Sequence, residues 1–364
     1  MAIKDNDMFV NVYGYRNPDY VFQFFIGGRG TGKTYSSIGG AVEGECKNKF
    51  MYSRVTDKEY QILLDKKGIE GANPFKKYNA NNHTNYGLSK INNALAGIYD
   101  RETTPEGLLL PKGQPIGYSS ALYNIADLRS LDFFDVSDWL LDEWIVEKHK
   151  RAMSDMYEAF CNAYETIDRN REFEDPANPQ EPVYVWASSN SNNIYNDMFK
   201  GMGIVADVEK MVRKGQTDKY YKDRKLAIHL LKNSPIFEEK KSQTALYCLT
   251  RGTRYADMAL NNKFAYDDFS LVGYKRLNDY APVVNIIQGD LEYSVYRRKG
   301  TKEMHVTYYK AKYVETFDAS KVQEKASFKK EFGNLLFSKF LKGCLTFETY
   351  ELKCELLDMI SAKL

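Results

Sequence analysis

Residues 27 to 34 combine closely spaced glycines with a lysine and a hydroxyl side chain, a set suited to binding phosphate. The pattern is Gly-x-x-x-x-Gly-Lys-Thr, known as a P-loop. Its glycines let backbone N–H groups approach phosphates closely, and a helix that follows adds the positive end of its dipole. Lys33 is expected to reach the β- and γ-phosphates of ATP, and Thr34 to offer its hydroxyl to Mg²⁺. The predicted nucleotide-binding residues of the motif are Gly27, Gly28, Arg29, Gly30, Thr31, Gly32, Lys33 and Thr34.

A pair of acids, Asp142 and Glu143, closes the apolar-dominated run from Val136 to Leu141. The run predicts a buried strand, and acids at the end of such a strand form the arrangement called Walker B. Asp142 is then expected in the Mg²⁺ shell, while Glu143 polarises the water that attacks the γ-phosphate. Because the second acid serves hydrolysis, the pair predicts an ATP hydrolase with Glu143 and Lys33 as catalytic residues.

Polar residues also end the next predicted strand, which runs from 183 to 187 and continues into Ser188, Ser189 and Asn190. Ligands of open α/β sheets bind at the carboxyl edge of the strands. Asn190 is therefore a candidate sensor of the γ-phosphate, with a plain turn as the alternative. Arg29 and Arg129 are further cations within reach of phosphate, and a surface ion pair is the alternative for each.

Alternating strand and helix patterns predict an α/β fold with a mostly parallel sheet to position these residues. Strands are expected at 20–26 and 50–54, with a helix over 35–42 directly after the glycine motif. The region 68–117 is rich in Asn, Gly and Pro and predicts hairpins and loops. Helical spacing on one face is shared by Met156, Phe160, Ala163, Tyr164 and Ile167.

The charge is unevenly distributed, although 51 basic and 49 acidic residues leave a net charge of only +2. The first 205 residues hold 22 basic and 28 acidic side chains, whereas residues 206–262 hold 12 and 7. A polyanion would therefore meet the later segments. The expected organisation is a P-loop ATPase domain at 1–205, a basic linker or lid at 206–267, and an α+β domain at 268–364. The basic residues most concentrated in the middle segment are Lys210, Arg213, Lys214, Lys219, Lys222, Arg224 and Lys225.

Composition excludes several other classes of protein. The mean hydropathy is -0.54, and no apolar run is long enough to span a bilayer. The mixed-charge N-terminus is not expected to be a secretion signal. Five scattered cysteines and four separate histidines argue against a zinc site or a disulfide framework and fit a reducing cytosol.

The motifs together resemble the DNA-packaging (encapsidation) ATPase family of phi29-type bacteriophages. The resemblance is carried by the segments 27–34, 136–144, 168–172, 189–190 and 252–264. It implies a P-loop NTPase of the additional-strand, catalytic-glutamate class that pumps double-stranded DNA into an empty capsid. Such proteins form a homopentameric ring docked on the portal vertex of the procapsid, in the host cytoplasm. In phi29 a packaging RNA lies between motor and portal, and no residue here indicates whether this chain uses one.

The resemblance also implies roles for two arginines. Arg169 falls at the position of an arginine finger that reaches the nucleotide of the neighbouring subunit, and Arg129 at another cationic position near the subunit interface. Arg171 is the fallback finger, because it lies in the same short turn. The alternative for Arg169 is an ion pair with Glu165 or Glu172.

The C-terminal domain of the family is similar to an RNase H-like nuclease that has lost its catalytic carboxylates. Gln288 stands where such a nuclease would need an acid, so no nuclease activity is expected. Asp290, Glu292 and Asp358 remain as other candidate acids. The sequence departs from the family in its greater length and in the extended 68–117 region.

Two other functions stay open on the residues alone. One is a different ring-forming P-loop motor, such as a helicase acting on plasmid or single-stranded DNA. The other is a nucleotide-gated switch or scaffold with slow hydrolysis and a protein partner. Glu143 and Arg169 argue against the switch, because both serve fast turnover.

Overall fold

The computed structural model describes residues 9–44, 48–145, 155–173, 180–190, 193–233, 235–253, 256 and 267–361. Cys46, His149 and most of the 252–264 segment lie outside the described residues. The chain divides into two compact units: residues 1–202 with 211–266, and residues 203–210 with 267–364. Among the described residues no helix is both long and apolar enough to cross a membrane.

The first unit is built on a single large sheet, to which the described residues contribute nine strands. They are β1 (Phe22–Gly27), β2 (Lys49–Arg54), β3 (Tyr86–Lys90), β4 (Ala96–Thr103), β5 (Leu109–Ala121), β6 (Val136–Asp142), β7 (Tyr184–Asn190), β8 (Asp218–Tyr221) and β9 (Leu226–Leu230). Their order across the sheet is β3-β4-β5-β2-β6-β7-β1-β9-β8. The six strands from β5 to β9 in this order pair in parallel, and β3, β4 and β8 are antiparallel additions. The predicted α/β fold with a parallel-rich sheet is confirmed.

The central strands are apolar on both faces, as strands in the middle of a parallel sheet must be. Phe24 and Phe25 of β1 are fully buried, as are Trp139 of β6 and Trp186 of β7. These large side chains fix the strands that end in the glycine motif and in the two acids.

Helices connect and flank these strands. They are α1 (Lys33–Val42), α2 (Asp57–Gln61), α3 (Lys76–Asn82), α4 (Leu122–Ile125), α5 (Met156–Asp168), α6 (Asp197–Gly201), α7 (Val205–Lys214), α8 (Pro235–Ser242) and α9 (Ala245–Leu249). The predicted amphipathic helix is α5, which buries Met156, Phe160, Ala163 and Ile167. The ring of Phe160 stacks on Trp139 with centroids 5.2 Å apart. This packing fixes the helix against β6.

The prediction of a linker or lid over 206–267 is wrong for residues 218–230. Strands β8 and β9 belong to the main sheet, with β9 paired directly to β1. The buried run Leu226–Leu230 is short and flanked by charged residues, so the basic composition concealed it. Buried His229 is held between Asp218 at 2.6 Å and Gln23 at 2.8 Å.

The region 68–117 contains the expected hairpins, formed by β3, β4 and β5. It also contains the short helix α3, which the loop prediction missed. The ring of Tyr78 in this helix lies 6.0 Å from that of Tyr35 in α1. This region therefore has a fixed position beside the helix that follows the glycine motif.

The second unit has its own five-stranded sheet, in the order β13-β10-β11-β12-β14. Its strands are β10 (Tyr280–Gln288), β11 (Leu291–Arg298), β12 (Met304–Thr307), β13 (Thr316–Asp318) and β14 (Leu345–Phe347). Its later helices are α10 (Val322–Phe328), α11 (Asn334–Leu341) and α12 (Tyr350–Ile360), with a π-helical turn at Lys329–Gly333. Buried Phe328, Leu336 and Leu352 pack in one core with β-strand residues such as Val295. A turn at Gly289 and Asp290 joins β10 to β11.

Candidate active site

A cavity of about 620 Å³ lies at the carboxyl edge of the main sheet. Because β6, β7 and β1 run in parallel, Asp142, Asn190 and Gly27 reach this edge together. The residues that line the cavity are Phe9, Arg29, Gly30, Thr31, Gly32, Lys33, Thr34, Tyr35, Lys77, Asn81, Asp142, Glu143, Ser189 and Asn190. The cavity thus brings together the glycine motif, both acids and Asn190, which were predicted separately.

The glycine motif turns sharply between β1 and α1. Gly30 and Gly32 have φ values of 85° and 89°, a left-handed conformation that favours glycine. Lys33 is buried, and its Nζ donates to the carbonyls of Gly27 at 3.1 Å and Gly28 at 2.9 Å. Burial lowers the pKa of Lys33 to about 8. The ammonium is therefore held at the centre of the loop by groups that an anion can replace.

Asp142 is fixed by hydroxyl groups from two other elements. The hydroxyl of Thr34 lies 3.1 Å from each carboxylate oxygen of Asp142, and the hydroxyl of Tyr52 donates to it at 3.1 Å. Burial raises the pKa of Asp142, and the nearby guanidinium of Arg54 opposes this. A hydroxyl beside a carboxylate is a donor set that fits Mg²⁺, which binds through one or two protein oxygens together with substrate phosphates. The described residues hold no cluster of three or more His, Cys, Asp or Glu side chains suited to a metal.

Arg54, at the end of β2, connects the two acids and was missed by sequence reasoning. Its Nη1 lies 2.5 Å from Oε2 of Glu143, and its Nη2 lies 3.3 Å from Oδ2 of Asp142. Its Nε donates to the hydroxyl of Tyr52 at 3.1 Å. Glu143 has a φ of 56°, and its side chain is 50% exposed in the cavity. The guanidinium is thus anchored on three sides, and Glu143 is its most accessible partner.

The polar end of β7 completes this edge. Asn190 pairs in register with Gly27 and lines the cavity. The neighbouring Ser189 accepts a hydrogen bond from the backbone N–H of Ile145 at 2.9 Å, which ties the segment after Glu143 to β7. Arg29 also lines the cavity, and its carbonyl accepts from Lys241 at 2.6 Å. Burial lowers the pKa of Lys241 to about 8.

Arg129 and Arg169 do not line this cavity; they lie together at the opposite, amino edge of the sheet. Arg169 ends α5 with a φ of 52°, and its Nη2 donates to the carbonyls of Arg129 and Leu131. Both arginines are exposed. One of the two acids predicted as alternative partners, Glu172, instead pairs with Lys225 at 3.0 Å.

The fallback role for Arg171 is wrong, because this side chain is buried. Its guanidinium donates to the backbone carbonyls of Val136 at 2.7 Å and Ile167 at 3.0 Å, and also to that of Phe133. These bonds fasten the end of α5 to the start of β6. A guanidinium occupied in this way is a structural support and cannot reach a neighbouring subunit.

Other lining residues also escaped the sequence analysis. Phe9 precedes β1, Tyr35 follows the glycine motif, and Lys77 and Asn81 belong to α3. Nothing in the spacing of these residues indicates that they meet. The sequence contains only a weak indication of the role of Arg54. This residue ends a predicted strand, and the strand that pairs with it in parallel ends in Asp142.

In the second unit, Gln288 ends β10 and donates through Nε2 to the carboxylate of Glu355. Glu355 is buried in α12 and was not among the predicted acids. Glu292 pairs with Lys310 at 2.5 Å, and Asp290 and Asp358 are exposed.

Two solved structures are similar to the whole chain. One is the packaging motor assembly of bacteriophage phi-29, with a TM-score of 0.58, 19% identity, and coverage of 98% of this chain and 100% of that chain. The other is the phi-28 gp11 DNA packaging motor, with a TM-score of 0.55, 18% identity, and coverage of 95% of each chain. These similarities support the fold. No curated protein sequence matches the chain.

A family model described as podovirus DNA encapsidation protein (Gp16) matches residues 109–361. The match covers well over half of the chain, including Asp142 and Glu143, the arginines that follow α5 and nearly all of the second unit. The glycine motif lies before the matched residues and supports nucleotide binding independently. The chain belongs to the podovirus DNA encapsidation family and serves DNA packaging.

Proposed function

We propose that the chain is an ATP-driven motor that moves double-stranded viral DNA into a preformed capsid through the portal vertex. The observation that carries this proposal is the cavity in which Lys33, Thr34, Asp142 and Glu143 meet at one sheet edge. Membership of the encapsidation family supplies the biological task, and the cavity supplies the chemistry that would drive it.

In this proposal the glycine motif binds the triphosphate and Lys33 neutralises its β- and γ-phosphates. Thr34 and Asp142 would hold Mg²⁺, which spreads the developing charge of the phosphoryl group when bound. Glu143 orients a water molecule and accepts its proton. Its exposed carboxylate and its place in the cavity support this role. Asn190, beside Gly27, senses the γ-phosphate, and Arg29 adds charge at the loop.

We also propose that the subunits form a homopentameric ring. Arg169 and Arg129 are exposed and lie away from their own cavity, so a role at a nucleotide requires a neighbouring subunit. A head-to-tail ring repeats one such contact at every interface. The ring would act in the host cytoplasm while docked on the procapsid, directly or through a packaging RNA.

The second unit is proposed to be a vestigial RNase H-like domain without nuclease activity. Two-metal cleavage needs several carboxylates gathered around the ions. The amide of Gln288 occupies the end of β10, and its bond to Glu355 engages the nearest buried acid. The ATPase domain in this proposal consists of residues 1–202 and 211–266, the compact unit that includes strands β8 and β9.

The test is the rate of ATP hydrolysis with intact duplex DNA, with single-stranded DNA and without DNA, together with the mass in solution. The proposal expects stimulation by duplex DNA, no strand separation, and a ring-sized assembly. Stimulation by single strands with unwinding would indicate a helicase. Slow turnover that no DNA changes would indicate a switch or scaffold.

A further inference from the structure

Four side chains line the cavity without a part in phosphate or metal binding. They are Phe9, Tyr35, Lys77 and Asn81. We propose that these residues bind the base and ribose of the nucleotide and select adenine. This inference rests on the proposed ATP site. Lys77 and Asn81 come from α3, so the extended 68–117 region would acquire a function in nucleotide recognition.

Phe9 is anchored beside the glycine motif by backbone contacts. The N–H of its neighbour Val10 donates to the carbonyl of Thr31 at 2.9 Å. A Cβ placed on Gly32 would lie 2.8 Å from the Cβ of Phe9, so the missing side chain makes room for this segment. Phe9 is nevertheless 41% exposed as a residue. Its ring meets that of Phe237 in a T-shaped arrangement with centroids 6.2 Å apart, and an anchored, partly exposed aromatic ring is what stacking on a base requires.

Helix α3 is fixed on the other side of this part of the cavity. The rings of Tyr78 and Tyr35 lie 6.0 Å apart and link α3 to the helix that begins in the glycine motif. The amide of Asn81 donates to the hydroxyl of Tyr35 at 3.2 Å. The ammonium of Lys77 lies 5.4 Å from the centroid of Phe9 and 5.8 Å from that of Tyr35. An aromatic ring, an amide and a cation therefore converge next to the phosphate-binding loop.

The amide of Asn81 accounts for the preference for adenine. A side-chain amide carries a donor and an acceptor in one plane, which matches the N6 donor and N7 acceptor of adenine. Guanine presents two acceptors, O6 and N7, at the same edge. Lys77, whose ammonium lies near the rings of Phe9 and Tyr35, would donate to the ribose hydroxyls, which ADP and GDP share.

The experiment measures equilibrium binding of ADP, GDP and inorganic tripolyphosphate to the full chain by calorimetry, without turnover. The wild-type chain is expected to prefer ADP over GDP. Phe9→Ala should weaken ADP and GDP alike by roughly tenfold, and Asn81→Ala should reduce the preference for ADP by roughly fivefold or more. Tripolyphosphate should bind both variants as it binds wild type. Asn82→Ala, on the same helix but outside the cavity, is the matched control.

The outcomes separate this inference from the proposed function. If Lys33→Ala loses all three ligands while Phe9→Ala and Asn81→Ala bind ADP as wild type does, the base lies elsewhere and the inference is overturned. Loss of tripolyphosphate binding in Phe9→Ala would also contradict the inference, because Phe9 is not proposed to bind phosphate. The exception is a disturbed loop, which Phe9→Leu would reveal by binding tripolyphosphate normally while binding ADP weakly. A wild-type chain that binds neither ADP nor tripolyphosphate contradicts the ATP site itself.

Discussion

The carboxyl edge of the main sheet and its amino edge are separated by the length of β6, about 20 Å for seven residues. The carboxyl edge holds the glycine motif and the two acids around a cavity. The amino edge holds exposed cations: Arg129, Arg169, and the turn from 222 to 225 that leads into β9. The main sheet thus presents phosphate-binding and acidic groups at one edge and exposed cations at the other, where Lys225 pairs with Glu172. This difference suits subunits that join head to tail, with the cations of one near the nucleotide of the next.

Substitutions at the carboxyl edge are expected to have the largest effect on the rate of ATP hydrolysis. Lys33→Ala should abolish ATP turnover, because the buried ammonium at the centre of the loop is lost. Glu143→Gln should still bind ATP but hydrolyse it at least roughly 100-fold more slowly, because an amide cannot accept the proton from water. Phosphate release and nucleotide binding, measured on the same preparations, check both statements. A Glu143→Gln protein that turns over at the wild-type rate would remove Glu143 from the role of base.

At the amino edge, substitutions of Arg169 and Arg171 should have different effects. Arg169→Ala should reduce turnover by roughly 10³-fold or more, as expected for an arginine finger, with little change in stability. Arg171→Ala should instead lower the free energy of unfolding by about 3 kcal/mol, because several buried carbonyls lose their donor. Chemical denaturation and ATPase assays of the two variants make the comparison. Equal destabilisation by both substitutions, with equal residual turnover, would contradict the division of roles.

A smaller effect is expected from the basic residues around α7 and the β8–β9 turn. Each residue that meets a DNA phosphate should contribute about 0.9 to the slope of log affinity against log salt concentration. Neutralising Lys214, Lys222, Arg224 and Lys225 together should therefore flatten the slope measured with duplex DNA. Lys76→Ala, on a different surface element, is the control. An unchanged slope in the fourfold variant would leave these residues as solvated surface charges.

The last comparison sets the two acids at the end of β6, which are expected to support ATP hydrolysis, against the end of β10, which is expected to support no DNA cleavage. The chain given Mg²⁺ or Mn²⁺ should not cut DNA, because Gln288 replaces the acid that two-metal cleavage would need. Incubation of supercoiled plasmid with the purified chain would reveal single nicks. Nicking that depends on metal and disappears in Asp290→Ala would overturn the assignment of a vestigial nuclease.

The sequence predicted local features well because they depend on neighbouring residues. Hydrophobic patterns within short stretches of sequence predict three of these features. They are the strand before the glycine motif, the strand ending in Asp142 and the apolar face of α5. The position of Arg54 depends on a contact with Asp142 across two strands, and no local pattern encodes it. The four residues proposed for the base likewise come from three separate parts of the chain.

Two errors of the sequence analysis have a common physical origin, namely that composition does not report burial. The charged stretch 206–267 conceals β9, whose apolar run is only five residues long. Arg169 and Arg171 are equal in type and lie two positions apart. One ends a helix in a left-handed conformation and faces outward, whereas the other turns inward to backbone carbonyls. Only the fold distinguishes them.

The most direct test asks whether the amino edge of one subunit completes the nucleotide site of the next. It mixes Arg169→Ala and Lys33→Ala subunits, each of which is inactive alone. In a random equal mixture, roughly a quarter of head-to-tail interfaces would join an intact glycine motif to an intact arginine. Native mass spectrometry first establishes that single rings contain both variants, and ATP hydrolysis is then measured. The account predicts that part of the wild-type rate returns. Rings shown to contain both variants that remain inactive would contradict the claim that one edge completes the site at the other.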